Sequence, residues 1–474
     1  MSDTVLLTSL SPARRRVAFY MLLLGALMPP LNVFIVTIAL PSIRTSLQAN
    51  ASETGLIVSG YAAAFAVCLV TGGRLGDLFG RRLIYLIGMV GFTLMSLLCG
   101  LAPSAELLVI GRIFQGICAA LMAPAVLAAV RTLFGPAEIS WALNIYGTGI
   151  GLAVAGGQFF GGILVAADLW GLGWRSTFLI NVPIGVAALI ATPFLVPESG
   201  GRDKPRLDFG GVVLLTAALG SFVLPLSVGR DQHWAPWVLA TLVASPLLLI
   251  AFFLFERALA ARGGMPILDA ALLKVRSFRR GLLVALLFFF TTPFYLFFSL
   301  YLQAGLGESA LAAGFAVLPY GVANFVAPML ATRAPPYWRR YLFGVGMAVE
   351  ILGYGAVGLC GAMQTSGAVL FAALFIGGFG QGIALPEMIR SILGEVPHEH
   401  TGLAAGIMNS TLQIGSAVSI AAIGSLFFAV LGDDRGAAAY GHAFAIAMAS
   451  VVVALTISML LGLRKTAPAA HLSN

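Results

Sequence analysis

Apolar runs of about 20 residues recur from one end of the chain to the other, and the charged residues gather in the short stretches between them. At 1.5 Å per residue each run is long enough to cross a hydrocarbon layer of about 30 Å. The pattern predicts fourteen helices, near 17–40, 55–73, 83–102, 106–130, 141–166, 176–197, 208–228, 235–256, 280–303, 310–332, 341–361, 367–391, 402–430 and 441–463. The expected fold is an all-α polytopic membrane protein. A soluble fold with this pattern would need a very large core and almost no solvated shell.

Composition agrees with the pattern. Charged residues make up 10% of the 474, against about 25% in soluble domains, and the mean hydropathy is +0.97. The net charge of +8 does not call for a nucleic-acid partner, because the basic residues sit in loops that orient a membrane protein. With the N-terminus placed in the cytoplasm, Arg44, Arg175, Arg230 and Arg435 are the basic loop residues outside and Arg112 lies within a span. That leaves 22 of the 27 Lys and Arg residues inside. An even number of spans returns the C-terminus to the same side. Arg14–Arg16 followed by an apolar run imitates a signal peptide. The run exceeds twenty residues, contains Pro29-Pro30 and lacks a convincing A-x-A site, so it reads as an uncleaved first span. Cys68, Cys99, Cys118 and Cys360 lie inside apolar segments without disulfide or metal spacing.

The densest knot of charge is GGRLGDLFGRR at 72–82, in the short cytoplasmic turn between the second and third helices. Its glycines, Gly73 and Gly80 among them, allow a tight connection. Asp77 can face a helix N-terminus or pair with an arginine. Arg81 and Arg82 have two readings, as orientation signals and as part of a built contact between helices.

The chain repeats itself weakly. Arg81-Arg82 followed by Gly88 returns as Arg339-Arg340 followed by Gly346, and GRIFQGI (111–117) returns as GGFGQGI (377–383). Both offsets preserve the membrane side, as in a transporter made of two parallel repeats. LMPPLNVF (27–34) in the first span and FTTPFYLF (290–297) in the ninth stand at a similar offset, with Pro29 and Pro30 matching Pro293. Proline frees carbonyls and bends helices. Paired interruptions in matching spans therefore point either to a binding site near the midplane or to two packing kinks. The repeat predicts six-helix bundles at 1–198 and 280–474. The segment 199–279 between them holds cytoplasmic connectors and an inserted pair, helices 7 and 8.

These residues resemble the major facilitator superfamily, in particular its fourteen-span drug–proton antiporter branch. The likeness runs through GGRLGDLFGRR, ALPSI (39–43), LIVSGYAAAF (56–65), GRIFQGICAALMAP (111–124), WRSTFLINVPIG (174–185) and PILDAALLKVRSF (266–278). It implies a major facilitator fold in the bacterial cytoplasmic membrane, and no cofactor. The charged turn would be a latch that ties helix 2 to the region of helix 11 while the protein faces outward. Arg112 matches the motif arginine linked to proton transfer and cavity electrostatics. Two positions depart from the branch: Asn32 stands where an aspartate is usual, and Gln158 where the helix 5 signature has proline. Asn32 cannot bind and release a proton but can hydrogen-bond a ligand.

Ionisable side chains inside spans are costly and therefore functional candidates. Arg112 is one. Glu387 reads either as a cavity residue or as the partner of Arg390 three residues on, and Glu350 as a proton carrier or a packing residue. Among uncharged polar and aromatic residues, Asn32, Tyr61, Gln115, Gln158, Asn324, Phe294 and Tyr295 are the candidate cavity lining. Asn409 and Gln413 are either lining or helix–helix glue, and Asn181 reads as glue.

The expected function is export of a lipophilic, aromatic small molecule by alternating access in exchange for protons, by a monomer in the bilayer. A dedicated exporter of one metabolite with weak proton coupling is the alternative. A non-transporting membrane sensor or an embedded enzyme is a reading of another class. Against an enzyme, the chain has no nucleophile–base constellation, no metal-binding cluster and no Walker-type loop, and its histidines lie in loops, in the tail or at the outer side.

Overall fold

The computed structural model describes residues 11–196, 209–229, 234–262, 275–335, 337–394, 401–432 and 434–463, with single positions at 232 and 396. The side chains of Arg74, Asp77 and Asn409 lie outside this description, as do His398 and His400. Among the described residues the chain is helical and has no strand. In chain order the helices are α1 (Pro12–Leu47), α2 (Ala51–Phe79), α3 (Arg81–Gly100), α4 (Ala105–Leu133) and α5 (Pro136–Ala167). There follow α6 (Asn181–Leu195), α7 (Phe209–Val228), α8 (Pro236–Ala261), the two-part α9 (Arg276–Phe288 and Pro293–Leu300) and the two-part α10 (Ala310–Ala316 and Leu318–Ala331). The last four are α11 (Leu342–Ala362), α12 (Ala368–Gly394), α13 (Thr401–Leu431) and α14 (Ala437–Leu463).

Among the described residues 12 helical stretches are long and apolar enough to cross a membrane. The spans expected at 55–73 and 208–228 hold shorter apolar stretches, Glu53–Leu69 in α2 and Gly210–Phe222 in α7. Large apolar side chains face outward as freely as inward: Phe194 is 78% exposed, Leu352 68% and Leu247 63%. Such a surface suits lipid and would aggregate in water.

Local chemistry sets the helix ends. Asn50 and Glu53 form a reciprocal cap at the start of α2, the Glu53 amide donating to Asn50 Oδ1 at 2.8 Å and the Asn50 amide to Glu53 Oε2 at 2.9 Å. Ser104 caps α4 and Ser309 caps the first part of α10. Gly80 joins α2 to α3 in a single residue at φ +102°, a conformation open to glycine and strained for any side chain.

Contacts divide the chain into two compact units. One comprises Met1–Leu268 with Tyr295–Gly321, the other Asp269–Phe294 with Val322–Asn474. The first unit is stitched by small residues. A Cβ on Gly116 of α4 would strike the Tyr61 carbonyl of α2, and one on Gly157 of α5 would lie 2.8 Å from the Leu31 carbonyl of α1. The inserted pair α7–α8 packs through a bond from Ser245 Oγ to the Ala218 carbonyl, 2.8 Å long. In the second unit α11 and α12 approach closely where Gly380 meets the backbone of Glu350 and Gly353 that of Gly377. There α9 is tied to α14 by Ser458 Oγ to the Val284 carbonyl at 2.9 Å and by Arg280 Nε to the Leu461 carbonyl at 2.6 Å.

The prolines behave differently in the two matched spans. The interruption expected at Pro29-Pro30 is absent: α1 runs unbroken over 36 residues with Pro29, Pro30 and Pro41 inside it. Proline's fixed φ is itself helical, and the amide protons it removes would have donated to the Gly25 and Ala26 carbonyls. The altered turn is covered by protein, since Tyr85 of α3 packs onto Gly25 and donates its hydroxyl to the Met21 carbonyl at 3.0 Å. At Pro293 the interruption exists. The first part of α9 ends at Phe288, a 3-10 turn spans Phe289–Thr291, and the helix resumes at Pro293.

Candidate functional site

Three other candidate residues meet around Arg112, which α4 carries to the interior of the first unit with no exposed surface. Arg112 Nε donates to the Ile57 carbonyl of α2 at 2.8 Å, and Nη1 donates to Gln115 Oε1 at 2.7 Å and to Asn32 Oδ1 of α1. Gln115 lies one turn along α4 and passes the connection on, its Nε2 donating to Ser96 Oγ of α3 at 2.8 Å. Ser96 in turn donates to the Phe92 carbonyl at 2.8 Å. Tyr61 lies under the guanidinium, 4.1 Å from its ring centroid, and Phe178 lies at 5.9 Å. The Tyr61 hydroxyl donates to the Pro29 carbonyl at 3.4 Å, so α1 and α2 both frame the arginine.

Every acceptor that Arg112 uses is neutral. Carbonyl, amides and an aromatic face solvate the guanidinium, a cation–π arrangement that gains strength when desolvated. Two donors in the cluster, Arg112 Nη2 and Asn32 Nδ2, are buried and have no acceptor among the described residues. Gln158 on α5 and Asn181 on α6 are also fully buried, with both amide atoms unpartnered among the described residues. Such groups are rare in packed interiors and each calls for an explanation.

The other candidates lie elsewhere. Phe294 is buried edge-on against Tyr354 of α11, ring centroids 5.3 Å apart, within the second unit. Tyr295 belongs to the first unit and sits between Phe34 of α1 at 4.5 Å and Tyr320 at 5.8 Å. Asn324 is half-buried, its carbonyl 2.6 Å from where a Cβ on Gly382 would fall. Glu387 pairs with Arg390, whose Nη1 donates to both carboxylate oxygens at 2.8 and 3.0 Å. Glu350 is fully buried between α11 and α12, and neither carboxylate oxygen has a partner among the described residues.

In the charged turn, Gly73 lies against Pro124 of α4, a Cβ there being 3.6 Å from that ring. Arg82 reaches the end of α6, where Nη1 donates to the Val196 carbonyl at 3.1 Å and to the Pro193 carbonyl at 3.4 Å. A cation at the carbonyl end of a helix satisfies its last acceptors and its dipole. Arg81 begins α3 beside it, with its Cγ 3.6 Å from a Cβ on Gly76. The sequence reading missed Ser96, Phe178 and the Ile57 carbonyl. Ser96 had a usable signal as a hydroxyl on an apolar span, whereas a backbone carbonyl has none.

A sequence profile described as Major Facilitator Superfamily matches residues 22–417. A protein of Streptomyces coelicolor described as a probable actinorhodin transporter is 36% identical over 433 residues, covering 90% of this chain and 75% of that protein. The tetracenomycin C resistance and export protein of Streptomyces glaucescens is 30% identical over 417 residues, 86% of this chain and 75% of that protein. Among solved structures, a bacterial homolog to the human lysosomal transporter Spinster, inward-facing and unoccupied, matches with a TM-score of 0.67 over 95% of this chain and 96% of that one. Its 17% identity makes that a likeness of fold. Together with the helical, lipid-facing architecture, the profile and the relatives establish that the chain belongs to the major facilitator superfamily and is a membrane transporter, not an enzyme.

Proposed function

We propose that this protein exports lipophilic aromatic compounds of antibiotic type across the bacterial cytoplasmic membrane by alternating access, in exchange for protons. The observation that carries the reading is the buried cluster of Arg112, Asn32, Gln115 and Tyr61, with donors left over for a ligand and aromatic faces beside them. The names of the relatives support it: a probable actinorhodin transporter, a tetracenomycin C resistance and export protein and a puromycin resistance protein. In this reading the chain acts as a monomer with both termini in the cytoplasm. It crosses the membrane fourteen times, as six-helix bundles at 1–198 and 280–474 with α7 and α8 inserted between them. Arg82 and its turn take part in the latch.

A growth-inhibition panel tests the reading. Cells expressing the protein are expected to tolerate at least one planar aromatic antibiotic several-fold better than cells expressing Arg112→Ala. In inverted vesicles, uptake of that compound is expected to stop when the pH gradient is collapsed. Uniform sensitivity across the panel contradicts export.

Asn32 favours a second reading, a dedicated exporter with weak proton coupling. Its Oδ1 accepts from Arg112, and an amide at this place cannot carry a proton. Uptake that persists through collapse of the gradient selects that reading.

A further inference from the structure

Arg112 is a fully buried cation that makes no ion pair among the described residues. The acidic side chains around it in sequence are engaged or distant. Glu53 closes the cap of α2, Glu138 meets Arg15 at 3.5 Å, Asp168 accepts from the Gly173 amide at 2.7 Å, and Glu106 is exposed at the start of α4. Asp77 stands sixteen residues beyond Tyr61 on α2, roughly 24 Å by helical rise. An arginine can donate five N–H bonds. Here Nε and Nη1 are engaged, while Nη2 has no acceptor. Asn32 touches the same guanidinium through its oxygen, which leaves its own NH2 as a second buried donor without an acceptor.

Two adjacent donors and an uncompensated positive charge define one kind of guest. A carboxylate or an ionised phenol supplies two acceptor oxygens, or one oxygen with several lone pairs, together with the missing negative charge. Charge-assisted bonds of that type are about twice as strong as neutral ones. A cation would meet like charge, and a neutral amide would leave the guanidinium unpaired. The rings of Tyr61 and Phe178 flank the position, and Phe65 stacks parallel to Tyr61 at 6.3 Å. These rings are themselves buried, so the aromatic part of the guest comes from the export reading and the anionic part from the unpartnered donors. We propose that Arg112 and Asn32 form an anion-binding subsite and that the exported compounds are aromatic organic anions. This rests on the export reading and sharpens it, since Asn32 leaves the countercharge of Arg112 to be supplied by the substrate.

The test uses the purified full-length protein in lipid nanodiscs, titrated calorimetrically with 2-naphthoate and with its neutral counterpart 2-naphthamide. Naphthoate is expected to bind at least tenfold more tightly. Asn32→Asp, which installs an internal countercharge at nearly constant shape, is expected to remove that preference. Arg112→Lys is expected to keep the preference and Arg112→Gln to lose it, each compared at matched thermal unfolding. Equal affinity for the two compounds, no binding of naphthoate at millimolar concentration, or a preference that survives in Asn32→Asp overturns the proposal. Displacement of naphthoate by chloride at constant ionic strength assigns the subsite to inorganic anions and also overturns it. Liposome flux separates the two readings. Equal transport of both compounds retains export and rejects the anion subsite, whereas preferential binding without transport retains the subsite and rejects export.

Discussion

Arg112 holds three neutral acceptors on α1, α2 and α4, and its loss strands the amide oxygens of Asn32 and Gln115, while the Ile57 carbonyl keeps its helical partner. An unsatisfied buried group costs about 1–3 kcal/mol. Arg112→Ala is therefore expected to lower stability by more than any single-bond deletion in the cluster and to abolish transport, measured by thermal unfolding in detergent and by vesicle uptake. Ser96→Ala removes the acceptor of Gln115 Nε2 and a donor to the Phe92 carbonyl, which keeps its helical partner. Its expected cost is about 1–3 kcal/mol, with transport reduced less than tenfold. Glu350 differs from Glu387 in the same unit. Glu387 has Arg390 beside it, whereas Glu350 lies against the Gly380 backbone with no donor among the described residues. Glu350→Gln keeps the shape and removes the ionisable group, so it is expected to fold at least as stably as the parent in a thermal unfolding assay.

At the scale of helices, glycine positions with similar sequence surroundings have different fates. Gly55 has open space around its missing Cβ, whereas Gly116 would strike the Tyr61 carbonyl. Gly55→Ala is expected to stabilise α2 by about 0.4–1 kcal/mol, and Gly116→Ala to part α2 from α4 and destabilise, both read by thermal unfolding. Gly80→Ala is expected to cost about 1–3 kcal/mol because of its φ of +102°. The helices themselves were readable from apolar run length, and the turn at Gly80 from its glycines and charges. The proline pairs were half readable. A proline reports a lost amide bond, but whether the helix then stops depends on what covers the turn, which is Tyr85 over Gly25 in α1. The cluster was legible as separate polar residues on apolar spans. That Arg112 would select Asn32, Gln115 and the Ile57 carbonyl depends on helix rotation and backbone geometry, to which a single sequence is mute. Phe294 and Tyr295 illustrate the same limit: neighbours in sequence, they pack into different units.

For the whole molecule, the proposed orientation can be checked by labelling. The four native cysteines are buried or half-buried, so they can be replaced by alanine to give a silent background. On that background Asp434→Cys is expected to react with a membrane-impermeant maleimide applied outside intact cells. Phe79→Cys, exposed beside the charged turn, is expected to react only after lysis. The reverse pattern would invert the topology. The uninterrupted first helix has a mechanical consequence. Thirty-six residues at helical rise form a rod of roughly 54 Å, longer than the oily layer it crosses. Near one end Arg15 grips Glu138, and midway Asn32 holds the buried guanidinium. One unbroken helix joins these two points, so in the proposed reading a displacement of Asn32 by a guest is passed along a single element towards both water boundaries.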